Sequence, residues 1–132
     1  MKVDIIRGRY IDLLGHVPGN IETRLKLAEA AGRLNAFEAI EDWRAELLHN
    51  NPLDRKTQQL VHFALLIGSG DTMPAELHAR GALKAGASIR ELFGVAETAA
   101  VTGGMPAFSR AVRIIAEAVA ESAETAKSEA AD

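Results

Sequence analysis

Between Val3 and Ala120 apolar residues return three and four positions apart, and nowhere do they alternate with polar ones over the length of a strand. That single periodicity commits the chain to helices. β-branched and aromatic residues are few, aromatics making up 5% of the chain, so the apolar bulk is Ala, Leu, Ile and Val. An all-α fold of about six to seven helices is therefore expected. The 132 residues suffice for one core, so a single domain over 1–132 is anticipated, with its core at about 35–120 and a frayed tail at 121–132.

Helix starts and stops punctuate the period. The first amphipathic stretch, about Val3 to Leu14, puts Ile6, Tyr10, Leu13 and Leu14 on one side and stops at Gly15-His16-Val17-Pro18-Gly19. Asn20 is the expected N-cap of a second helix with Ile21, Leu25 and Ala28 on one face, ending near Gly32. Asn35 is the expected cap of a third that runs to about His49. In that helix Phe37, Ile40, Trp43, Ala45 and Leu47 or Leu48 are assigned to the core, and Glu38, Glu41, Asp42 and Arg44 to water. Asp54 caps a fourth helix from Arg55 to Ile67 or Gly68, whose second half is apolar on every side. Such a helix belongs in the middle of a bundle or at a subunit interface. Thr72 is taken as the cap of a fifth, with Pro74 in its first turn, and Ser88-Ile89-Arg90-Glu91 has capping-box spacing for a sixth. Pro106 opens a seventh that carries Phe108, Val112, Ile115 and Val119 inward.

Composition removes several function classes. With no cysteine there is no disulfide, thiolate metal site, cysteine nucleophile or dithiol chemistry. A formal charge of −3 gives no footprint for nucleic acid. The longest apolar run, Phe63 to Ile67, is far short of a bilayer span, and the first residues mix charges, so no membrane partner and a cytoplasmic location are the expectation. No His-x3-His spacing, and no Glu-x-x-His spacing with a further inward acid, suggests a metal site, and no phosphate loop or Gly-x-Ser-x-Gly is present.

The polar groups that interrupt apolar faces are the candidates for chemistry. On the fifth helix Ala75, His78, Ala79, Ala82 and Ala85 share one stripe, which leaves room around the imidazole for a pocket or a close helix crossing. On the fourth, Arg55, Gln59 (or Gln58), His62 and Leu66 follow one another at one-turn spacing. If this thread faces the fifth helix, Gln59, His62 and His78 form one polar cluster suited to general acid–base work. If it faces solvent, the same residues are structural.

Leu53-Asp54-Arg55-Lys56-Thr57-Gln58-Gln59-Leu60, then Glu76-Leu77-His78-Ala79-Arg80-Gly81-Ala82, Gly86-Ala87-Ser88-Ile89-Arg90-Glu91-Leu92 and Gly104-Met105-Pro106-Ala107 together resemble, in order and spacing, the carboxymuconolactone decarboxylase family. That family also contains the AhpD-type alkylhydroperoxidases. The resemblance implies an AhpD-like helical bundle assembled as a homo-oligomer, a trimer or hexamer, with the pocket near subunit contacts. In the peroxidase branch two cysteines precede the motif histidine by seven and four positions, where this chain has Asp71 and Pro74. The glutamate proton relay of that branch falls at Gln59, which takes up no proton at neutral pH.

The resemblance therefore points to the cysteine-free decarboxylase branch. It implies a cofactor-free lyase, needing neither metal nor cofactor, that acts on a small anionic lactone or keto acid of aromatic catabolism. His78 is then the proton-transfer group, His62 and Gln59 its companions, and Arg55, Arg80 or Arg110 the anion clamp. Met73-Pro74-Ala75 replaces the acidic residues that precede the histidine segment in such enzymes, and Thr98 to Gly103 is a more apolar lining, which implies a subfamily with its own substrate. The competing expectation is a non-catalytic homo-oligomer of the same fold that binds a small molecule or a partner protein, with His62 and His78 as buried structural groups.

Overall fold

A computed structural model describes residues 2–131; Met1 and Asp132, the first and last residues of the expected domain and tail, lie outside the described residues. The described residues form seven α-helices and no strand: α1 (Lys2–Leu14), α2 (Gly19–Ala30), α3 (Leu34–His49), α4 (Arg55–Ser69), α5 (Thr72–Lys84), α6 (Ile89–Gly103) and α7 (Met105–Ala131). They fall into two compact units, residues 1–52 and 53–132.

The first unit holds α1, α2 and α3 around Ile6, Tyr10, Ile21, Leu25 and Phe37. Gly15 and Gly32 take positive φ after α1 and α2, a conformation that suits residues without a Cβ. Three caps differ from expectation. α2 begins at Gly19 after Pro18, α3 begins at Leu34 after Arg33, and α5 begins at Thr72 with Asp71 before it, none with a side-chain cap. Asn20, Asn35 and Thr72 thus lie inside their helices. Helix entry here is set by the preceding turn: Pro18 O accepts from Ile21 N, and Arg33 O from Ala36 N and Phe37 N.

The face that α3 buries also differs from expectation. Phe37 and Glu41, one turn apart, face inward, whereas Ile40, Trp43 and Leu47 are 55%, 64% and 48% exposed. Glu41 is 4% exposed because Tyr10 reaches it from α1: the phenol donates to Oε2 at 2.8 Å and lies 3.0 Å from Oε1. Arg44, assigned above to water, is half-buried, with its guanidinium 5.7 Å from the centre of the Tyr10 ring. A carboxylate enters a core when its hydrogen bonds are met there, and here the phenol meets them.

Burial pushes the Tyr10 hydroxyl up to about 12; Arg44 opposes the shift and the bond to Glu41 reinforces it. The unfolded chain loses this proton first, near its ordinary value of about 10. The stabilisation is therefore complete below pH 10 and disappears as pH rises towards 12. Tyr10 is the chain's one tyrosine, so phenolate absorbance reports it alone. The folded protein should titrate near pH 12 and the denatured chain near pH 10; a folded midpoint near 10 would refute the buried bond.

In the second unit α4 packs on α5 and α6 on α7, with α5 also against α7 and α4 against α6. Phe63, Ile67, Leu92 and Ile114 fill the centre, and Ala75, Ala79, Ala82, Ala96, Ala111 and Ala118 let the helices approach closely. Asp54 caps α4 by accepting from Thr57 N at 2.8 Å, and Ser88 and Glu91 form the full capping box of α6. Both carboxyls are held below the ordinary range, Asp54 chiefly by the Thr57 backbone N–H and Glu91 chiefly by that of Ser88.

One expectation about α7 is corrected. Val112 is 37% exposed, since Ala111, Ile114, Ile115 and Ala118 occupy the inner face. The helix runs to Ala131, through most of the stretch expected as a frayed tail. Ala, Glu and Lys hold it by propensity, with little burial after Val119. No helix among the described residues is long and apolar enough to cross a membrane.

Candidate functional site

The polar thread of α4 faces α5. Gln59 is 1% exposed, and its Oε1 lies 2.6 Å from Nδ1 of His78, which crosses from the alanine stripe of α5. The ring of His62, one turn after Gln59, stacks on that of His78 with centroids 4.4 Å apart and planes 26° apart. Gln59, His62 and His78 therefore form one cluster, as their spacing allowed. Both imidazoles are half-buried.

Local structure explains the convergence. Phe63 and Ile67 turn α4 so that its core face includes Gln59, and His62 falls at the edge of that face. Ala75, Ala79 and Ala82, all buried, bring α5 close enough for the two rings to touch. A glutamine Oε1 only accepts, so in this contact Nδ1–H of His78 is the donor. The bond fixes the ring's orientation and leaves Nε2 as the ring nitrogen not engaged with Gln59.

The three arginines considered as anion clamps stand in different settings. Arg55 is exposed in the first turn of α4, one turn before Gln59. Arg80 pairs with Glu121 across α5 and α7 at 2.9 Å. Arg110 donates to the Ile67 carbonyl of α4 through a terminal nitrogen at 2.9 Å and Nε at 3.3 Å. That contact closes the end of α4 beside Gly70, whose positive φ of 82° forms the helix C-cap. Among the described residues no group of three or more His, Cys, Asp or Glu side chains could hold a metal ion.

A buried polar group that sequence reasoning missed is Glu41 with Tyr10. The available signal was weak: Glu41 is four residues from Phe37, on a face less apolar than its neighbour.

Comparison with known proteins bears on the whole arrangement. Residues 35–129 match the model of the carboxymuconolactone decarboxylase family. The fold matches the crystal structure of a "putative carboxymuconolactone decarboxylase" from Burkholderia xenovorans, with a TM-score of 0.72 and 25% identity over 95% of this chain and 98% of that one. An uncharacterized protein of Methanocaldococcus jannaschii is 31% identical over 81 residues, which cover 61% of this chain and 76% of the relative. The seven-helix fold, the cysteine-free sequence and the ordered blocks around Gln59, His78 and Pro106 agree with these matches: the chain belongs to the carboxymuconolactone decarboxylase family.

Proposed function

We propose that this protein is a cofactor-free carboxy-lyase for a small anionic lactone or keto acid of the kind met in aromatic catabolism, with His78 as its proton-transfer residue. The observation that carries the reading is the 2.6 Å contact between His78 and Gln59 beneath the stacked ring of His62. Thiol peroxidation is not part of the proposal, because the chain has no cysteine. The bond between the substrate's ring carbon and its carboxylate breaks, CO2 leaves, and the electron pair passes into the lactone as an enolate. His78, protonated on Nε2, returns a proton to carbon, while Nδ1–H remains on Gln59. His62 covers one face of the ring and limits its rotation. Of the three arginines, Arg55 is the proposed clamp for the departing carboxylate, since it shares a face of α4 with Gln59.

Lactone consumption and CO2 release, followed with γ-carboxymuconolactone, test the reading. No turnover by a folded wild type would reject this substrate. Gln59→Glu tests the role of the amide. A carboxylate beside Nδ1 favours the imidazolium, so activity should extend to higher pH by about one to two units. An unchanged pH profile would remove Gln59 from the mechanism.

The second reading, a non-catalytic binding protein of the same fold, is favoured by one observation: Arg80 and Arg110 are both engaged in contacts that hold helices together. It predicts wild-type protein without turnover on any anionic lactone, and a stability loss on His78→Ala.

Under either reading we propose a homo-oligomer, a trimer or hexamer. Val61 and Leu65 on α4 are 43% and 68% exposed, on a helix whose second half is apolar on most sides. Light scattering should give three or six times the chain's 14.1 kDa. A monomer at micromolar concentration would refute it.

A further inference from the structure

We propose that the groove between α2 and α3 is a binding site for an organic carboxylate with an apolar body, a site separate from the residues assigned to decarboxylation. The groove encloses about 400 Å³, within the range of about 300–1,000 Å³ of small-molecule sites. Leu27, Ala31, Ala36 and Ile40 give it an apolar wall, and Leu27 and Ile40 are 68% and 55% exposed. Side chains of this size left in water are a cost that an apolar ligand removes.

Charge selects the other half of the ligand. Arg24 and Arg33 line the same groove, and neither guanidinium is tied into a hydrogen bond or ion pair with a described residue; the bonds of Arg33 to Ala28, Ala36 and Phe37 are made by its backbone. The carboxylate that also lines it, Glu41, is 4% exposed and holds the Tyr10 hydroxyl. The rim is therefore cationic, with its acid buried beneath. An anion is attracted there, and a carboxylate offers the two oxygens that a guanidinium binds in parallel. A neutral apolar molecule of the same size satisfies the wall and leaves both arginines as they were.

Trp43, the one tryptophan, stands one turn beyond the lining residue Ile40 on α3, which makes its emission the nearest intrinsic probe. Full-length protein is titrated with octanoate, and separately with 1-octanol, while Trp43 emission is followed at physiological salt and sedimentation velocity is run in parallel. Octanoate should give a saturable change, with 1-octanol at least tenfold weaker. The double variant Arg24→Gln/Arg33→Gln should weaken octanoate at least tenfold with helicity and mass unchanged. Leu27→Glu, which puts a negative charge on the wall, should abolish the change.

Absence of saturation, equal affinity for octanoate and 1-octanol, or an unaltered double variant would overturn the proposal. So would a fall in mass that tracks the emission change, since the groove would then be occupied by a second copy of the chain. None of these variants touches Gln59, His62 or His78, so lactone turnover should stay at the wild-type rate in the Arg24→Gln/Arg33→Gln protein. Failure of this site and failure of the decarboxylase reading are thereby separable.

Discussion

Replacing His78 by alanine is expected to lower lactone turnover by about 10²- to 10⁴-fold, the range that positioned proton transfer supplies. The variant loses the proton donor, the partner of Gln59 at 2.6 Å and the ring on which His62 stacks. Because Gln59 is 1% exposed, its amide oxygen then needs a new partner, and some loss of stability accompanies the loss of rate. His78→Gln separates the two effects. Its amide N–H can still meet Gln59, which should recover part of the stability, yet it carries no exchangeable proton of suitable acidity, so turnover should stay low. The measurement is steady-state CO2 release at matched helicity and oligomeric mass. Full activity in either folded variant would end the role of His78 as proton donor.

The largest effect on stability is expected at Phe63. Its side chain is 0% exposed at the centre of the second unit, and it turns α4 so that Gln59 and His62 face α5. Phe63→Ala should cost about 3–5 kcal/mol, from lost burial and the cavity left behind. Chemical denaturation of the variant and the wild type reads this as a lower midpoint at unchanged slope. A cost below about 1 kcal/mol would mean that the surrounding alanines close the space. Phe63→Leu should lose less, since it keeps most of the buried area.

How much of this was legible in the residues differs between the units. On α4 the local features were legible: Asp54 as cap and Arg55 as first residue stand where the spacing placed them, while the direction in which Gln59 and His62 face was left open. Short-range chemistry decides such features, because a capping hydroxyl or carboxylate meets a backbone N–H within three residues. On α3 the spacing offered two faces. Ala36, Ile40, Trp43 and Leu47 form the more apolar stripe, yet Phe37, Glu41 and Arg44 turn inward. Hydrophobicity along one helix cannot anticipate that a phenol on α1 stands ready to bond Glu41.

The same division holds for the candidate site. The sequence by itself determined helical class, family, the lack of thiol chemistry and the three residues worth watching, because period, composition and ordered blocks are properties of the chain. Only the tertiary structure decided that the thread of α4 meets His78, and that Arg80 and Arg110 are engaged in holding helices. The physical reason is that a helix apolar on most sides has no preferred rotation of its own. Its neighbours choose which side is covered, and here the alanines of α5 admitted the face that carries Gln59 and His62.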